Sequence, residues 1–186
     1  RSEDARVLLN ELIETGEKSI KGKAGLALVD IALRGELWED LLVAAQNVID
    51  SNPEKEQLFS AMAYKGESLY HLERYEESIA TMEELLENKV DTKLKLRGNL
   101  MIALAKAKLG NYDESIGYLD RMQSRGEFAD NAPAIRLQMG KILELKGDRE
   151  QALESFRALA GDFPDSVASR EAWYRVGILM LQDLSQ

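Results

Sequence analysis

Apolar positions recur along this chain at helical spacing, in blocks of ten to eighteen residues separated by short polar turns. Residues 3–16 open the pattern: Val7, Leu8, Leu9, Leu12 and Ile13 give one apolar helical face. Ser2 is placed to cap that helix, with Glu3 and Asp4 at the positive end of its dipole. A connector rich in Gly and Lys follows from Gly16 to Gly25, its third glycine placed where the next helix can already have begun. The periodicity then predicts helices near 24–34 and 37–51, 53–72 and 75–88, 92–109 and 112–125, 133–146 and 148–161, and a last one at 167–183. Asn52 and Thr92 are the expected N-caps, and Pro53 and Pro133 stand at helix starts, where a missing N–H costs nothing. The stretch Gly126 to Ala132 reads as a polar, loose linker.

These helices are copies of one unit. Gly110-Asn111-Tyr112-Asp113-Glu114-Ser115-Ile116 stops one helix at a glycine, turns, and starts another with a ring and acids in its first turn. Trp38, Tyr75 and Tyr112 stand 37 residues apart, and Arg149 takes the next slot. Small or slim residues nine positions earlier keep the step: Val29, Gly66, Ala103, Gly140 and Gly177. So do Leu41, Ser78, Ser115 and Ala152, and again Val48, Leu85, Met122 and Leu159. A period of this size marks a solenoid of stacked helix pairs. Small residues let the second helix (B) approach the first (A), the ring fills the space beside the turn, and the Leu/Met column is core. One pair alone leaves an apolar face open, so neighbours must stack to bury it.

The columns resemble the tetratricopeptide repeat (TPR) family: a small residue in helix A, Gly-Asn-Tyr-Asp-Glu at the turn, Ala or Ser next, and Pro after helix B. The best copy runs from Pro133 to Ser166, with Gly140, Gly147, Ala152, Phe156 and Pro164 in the family's slots and Arg149 where an aromatic is usual. Three residues beyond the usual repeat length imply A helices longer by about one turn. The resemblance implies an all-α, right-handed superhelical solenoid. Its expected organisation is a single array: a half repeat and connector at 1–21, repeats at 22–58, 59–95, 96–132 and 133–169, and a terminal A helix at 170–186. By the same step Gln186 falls on a turn position. Three readings of the last helix, with Trp173, Val176, Leu179, Met180 and Leu184 expected to be exposed, stand side by side: a longer array, docking on another copy, or a different packing that caps it.

Composition narrows the function. Among 186 residues apolar ones are 45% and charged ones 31%, a helix-rich globular balance. A net charge of −9 opposes binding to nucleic acid or anionic lipid. No cysteine means no disulfide, thiolate–metal site or thiol nucleophile. No apolar run is long enough to span a membrane. No signal peptide is legible, and a chain beginning at Arg1 suggests a mature or trimmed protein. The single histidine, His71, has no serine and acid grouped with it for a triad. The paired acids Glu76-Glu77 and Glu83-Glu84 read as helix starts and solvated faces, and Gly22-Lys23 lacks the strand and spaced glycine of a phosphate loop. No cofactor or metal is expected, and no enzymatic activity.

The resemblance implies instead a groove lined by helix A. Its columns read Leu26, Ala63, Leu100, Leu137, Tyr174; Asp30, Glu67, Leu104, Lys141, Ile178; Leu33, Tyr70, Ala107, Glu144, Leu181; and Arg34, His71, Lys108, Leu145, Gln182. Such a lining suits a peptide or helical segment of a protein partner, with Tyr70, Leu100, Leu104, Lys108, Lys141 and Tyr174 as candidate groove residues. The Lys/Asn clamp with which one subclass grips a chaperone's C-terminal carboxylate is absent: the corresponding positions hold Leu26 and Asp30, Ala63 and Glu67, Leu100 and Leu104. The alternative is an assembly subunit that associates through its terminal helices, a homo-oligomer through 167–183 among the possibilities. Phe163-Pro164-Asp165-Ser166 and Ala172-Trp173-Tyr174-Arg175-Val176-Gly177 are similar to junctions in bacterial cell-envelope TPR proteins, which implies a periplasmic or envelope setting.

Overall fold

Four turns of one geometry set the helix boundaries. At each, a residue in the left-handed region ends a helix: Glu36 (φ 52°), Glu73 (φ 60°), Gly110 (φ 83°) and Gly147 (φ 85°), one repeat apart. The N–H of the following residue reaches back five positions, Leu37 to Ala32, Arg74 to Leu69, Asn111 to Lys106 and Asp148 to Leu143, at 2.8–3.0 Å. The left-handed residue itself donates three positions back, as Glu73 does to Tyr70 and Gly147 to Glu144. This pair of bonds is the Schellman motif, and it satisfies carbonyls that the helix end would otherwise strand. The residue after the turn then accepts the first bond of helix B, from Leu41, Ser78, Ser115 and Ala152 in turn.

The computed structural model describes residues 2–183, which contain ten α-helices and no strand. They are α1 (Ser2–Thr15), α2 (Lys18–Gly35), α3 (Trp38–Asp50), α4 (Lys55–His71), α5 (Tyr75–Leu86), α6 (Thr92–Lys108), α7 (Tyr112–Gln123), α8 (Ala132–Lys146), α9 (Arg149–Asp162) and α10 (Val167–Asp183). Two compact units hold them, residues 1–105 and 106–186. Gln186 and Leu184, and the side chains of Ser2, Glu3, Asp4 and Gln182, lie outside what is described.

In each unit the small-residue column is where helix B lies on helix A. A Cβ at Gly66 would stand 2.6 Å from Met82 Cε, and one at Gly140 would stand 2.5 Å from Phe156 Cε1. Ser78, fully buried, donates its hydroxyl to the Gly66 carbonyl at 2.7 Å. The core column Val48, Leu85, Met122 and Leu159 is buried throughout, at most 3% exposed. In the first unit Leu28, Val29, Ala32, Leu41 and Ala44 form a cluster that Leu9 and Ile13 of α1 cover from outside. In the second, Phe156 and Leu159 meet Leu137, Leu143, Ala172, Val176 and Leu179.

Several boundaries differ from the sequence reading. Helix α2 begins at Lys18, so the connector shrinks to Gly16 and Glu17. Its glycines are contact points, not breakers: a Cβ at Gly22 would lie 2.7 Å from Ser51 Oγ, and one at Gly25 2.7 Å from Val48 Cγ2. Asn52 caps nothing; it is left-handed (φ 55°), and Glu54 precedes the first turn of α4. Thr92 is the first helical residue of α6, and Asp91 holds the cap by accepting from the Leu94 N–H at 2.8 Å. Residues 126–131 are a 3-10 turn rather than a loose linker, pinned by Phe128, 1% exposed. In α10, Val176 and Leu179 are buried, each 4% exposed, because they face α9 in the second core.

The left-handed column gives a prediction with two signs. Gly147→Ala should destabilise the chain by about 1 kcal/mol, since a Cβ penalises this conformation. Glu73→Gly, at the equivalent slot, relieves that penalty against a larger unfolded-state entropy and should stabilise by about 0.5 kcal/mol. Midpoints of urea unfolding check both; equal shifts of one sign would contradict the shared geometry.

Candidate functional site

The A helices offer the candidate face, and exposure sorts its four columns. In the first column Ala63 and Leu137 are buried, 0% and 6% exposed, Leu26 and Leu100 are half-buried, and Tyr174 is exposed. The column Arg34, His71, Lys108 and Leu145 is exposed throughout, and the column Asp30, Glu67, Leu104, Lys141 and Ile178 is exposed or half-buried.

In the first unit Tyr70, Leu100 and Leu104 are half-buried. Tyr70 sits at the end of α4, its ring edge-on to His71 at 5.4 Å and to Tyr75 at 5.6 Å. His71 is stacked flat on Trp38 of α3, with centroids 3.8 Å apart. The lone histidine is thus part of an aromatic stack at the turn-side end of the A helices. Burial, and then the neighbouring Tyr75, push the Tyr70 hydroxyl above its ordinary pKa of 10.0. Helix α6 joins α4 through Arg97, which pairs with Glu67 and lies over the Tyr64 ring at 4.6 Å. Sequence columns missed Tyr64 and Arg97, because neither falls in a slot whose pattern repeats.

In the second unit Lys108 is exposed, Lys141 is half-buried and Tyr174 is 67% exposed. Lys141 Nζ is 2.6 Å from Glu171 Oε1, and Arg175 donates to Glu144 at 3.1 Å, so α8 and α10 are tied by two ion pairs. Lys141–Glu171 and Glu67–Arg97 occupy the same two slots of the repeat, two periods apart, with their signs exchanged. Beside the pairs stand Leu145, Tyr174 and Leu181, 53%, 67% and 67% exposed. Leu145 and Leu181 were legible as column members; their exposure was not. Among the described residues no group of three His, Cys, Asp or Glu is arranged to hold a metal, and no helix is long and apolar enough to cross a membrane.

Helix pairs closed by Schellman turns, with B helices seated on small residues, define the class as an all-α helix-pair solenoid. The tetratricopeptide-repeat family model matches residues 134–166, the span of α8, α9 and the following turn. Among solved structures the chain is similar to YrrB, described as a TPR protein with an unusual peptide-binding site. The TM-score is 0.56 at 18% identity, over 96% of this chain and 84% of that one. No curated protein sequence matches. Over residues 134–166 the chain is similar to the tetratricopeptide repeat, and its fold is that of an all-α helix-pair solenoid like YrrB's.

The raised Tyr70 hydroxyl makes a pH prediction. Its contribution to stability is fully present below pH 10.0 and is lost as pH rises through the higher value of the folded state. Tyr70→Phe should therefore move the alkaline unfolding midpoint upward and remove a late-ionising phenol from an ultraviolet absorbance titration. An unchanged titration would mean that Tyr70 ionises like a free phenol.

Proposed function

We propose that the chain is a non-catalytic interaction module that binds a helical or extended apolar segment of a protein partner on its A-helix face. One observation carries this reading. Leu145, Tyr174 and Leu181 stay exposed on the A helices of the second unit, beside ion pairs that already satisfy the local charges. Exposed apolar side chains rimmed by polar groups are what a recognition surface presents, and a few of them supply most of the affinity. The fold supports the reading, as does YrrB, for which a peptide-binding site is described. Tyr70, Leu100 and Leu104 are proposed as the corresponding contacts on the first unit, and Lys108 as a further contact on the second, where Lys141 is held by Glu171. The junction at 163–177 supports a cell-envelope setting. Fractionation of the source cells in which the chain follows cytoplasmic markers would overturn that setting.

Panning a displayed peptide library against the chain tests the function without a known partner. Enriched peptides should carry apolar anchors at helical or alternating spacing. Their affinity should fall at least about tenfold, roughly 1.4 kcal/mol, in Tyr174→Ala, Leu145→Glu and Leu104→Arg. Helicity and melting temperature should hold in the first two variants, whose side chains lie mostly outside the core. Peptides that bind all three variants as well as the parent would sink the proposal. A collapse of helicity in Leu104→Arg alone would remove Leu104 from the face and assign it to the core.

A further inference from the structure

A second surface lies on α10, on a stripe distinct from the one just described. In the inner repeats helix B covers helix A at a fixed offset: Met82 lies over Gly66, and Phe156 over Gly140. The same register on α10 gives Gly177, and a Cβ there would meet nothing within 4 Å. Around it, one helical turn to each side, Trp173 is 56% and Met180 48% exposed, although the matching Met62 and Leu69 of α4 are buried. Arg170 continues the stripe toward the start of α10 and is exposed. The guanidinium of Arg157 flanks it, 3.6 Å from Met180 Sδ. No described residue covers this stripe.

Helix α1 carries the complementary feature. Its register is that of a B helix: Leu8 falls in the slot of Ala45, Met82, Leu119 and Phe156. Leu9 and Ile13 pack onto the first-unit core, as the inner face of a B helix does on the A helix that follows it. The other stripe faces out. Val7 is 62% and Leu8 58% exposed, where Ala44 and Ala45, one repeat later, are fully buried. Glu11 and Glu14 are exposed on the same helix.

We propose that α1 of one copy docks on α10 of a second copy as its B helix, with Leu8 seated over Gly177. Helices A and B run antiparallel in every repeat, so this seating brings Glu11 and Glu14 alongside Trp173 and the Arg170 guanidinium. Knob and open slot match in register, and the flanking charges are opposite. The contact is heterologous, using different faces on the two copies.

Sedimentation of the 186-residue chain, taken up to about 1 mM, tests this. The wild type should associate with concentration. Leu8→Glu and Gly177→Trp should each be monomeric while keeping their helicity, since both sites are exposed. An equal mixture of the two should form a dimer and nothing larger, because one variant keeps an intact α10 and the other an intact α1. If either variant loses helicity, Val7→Lys and Met180→Lys repeat the pair. A wild type that stays monomeric overturns the proposal. So does a mixture that stays monomeric, or a Leu8→Glu variant that associates as well as the parent, which would mean two α10 faces meet. Tyr174→Ala and Leu145→Glu, which weaken the peptide face, should leave association unchanged.

Discussion

The second helix of each pair can be buried only if it comes within touching distance of the first, and that approach governs the structure. At Gly140 a Cβ would stand 2.5 Å from the Phe156 ring, and at Gly66 2.6 Å from the Met82 methyl, while the same slot takes Val29 and Ala103 in the other repeats. The approach needs a turn that reverses the chain within two residues without stranding carbonyls, which the left-handed Schellman geometry supplies four times. It also needs a buried partner for the backbone it exposes, as where Ser78 donates to the Gly66 carbonyl. Each column of the repeat is one part of that requirement. This is why columns of unlike chemistry, a glycine, a serine, a methionine or phenylalanine, keep a single period.

Because the constraint is local and repeated, most of the fold was legible in the sequence. Where sequence and structure differ, the cause is shared: the neighbouring helix, not the residue type, decides the role. Gly22 read as part of a connector, yet it lies inside α2, where it leaves room for Ser51. Asn52 read as a cap, yet it is the left-handed residue that ends α3. Glu36 and Glu73 occupy slots where glycine would be expected; the hydrogen-bonded turn around them overrides local preference. Phe128 anchors a segment whose composition is otherwise that of a loop.

The candidate face was less legible, and the reason is geometric. Sequence columns show which residues share a position on helix A but not how far that helix is rotated toward its neighbours. A rotation that buries Leu137 leaves Leu145 in solvent, though both are leucines eight residues apart. Charge was ambiguous in the same way. Lys141 reads as a residue free to meet a ligand, whereas its ammonium lies against Glu171.

The exchanged signs of Glu67–Arg97 and Lys141–Glu171 bear on what that face can recognise. If these slots existed to read a partner's charge, inverting the pair would change the partner. If they tie neighbouring A helices together, either polarity serves, because what matters is that each charge meets its opposite. Pairs of this exposure contribute at most about 1 kcal/mol each, enough to set helix spacing but little toward affinity. With its charges occupied in this way, the second unit has Leu145, Tyr174 and Leu181 left to give a partner, three apolar side chains whose separation is fixed by the helices that carry them. Selectivity on such a surface would rest on the spacing of a partner's apolar anchors rather than on its charge, and affinity would depend only weakly on salt.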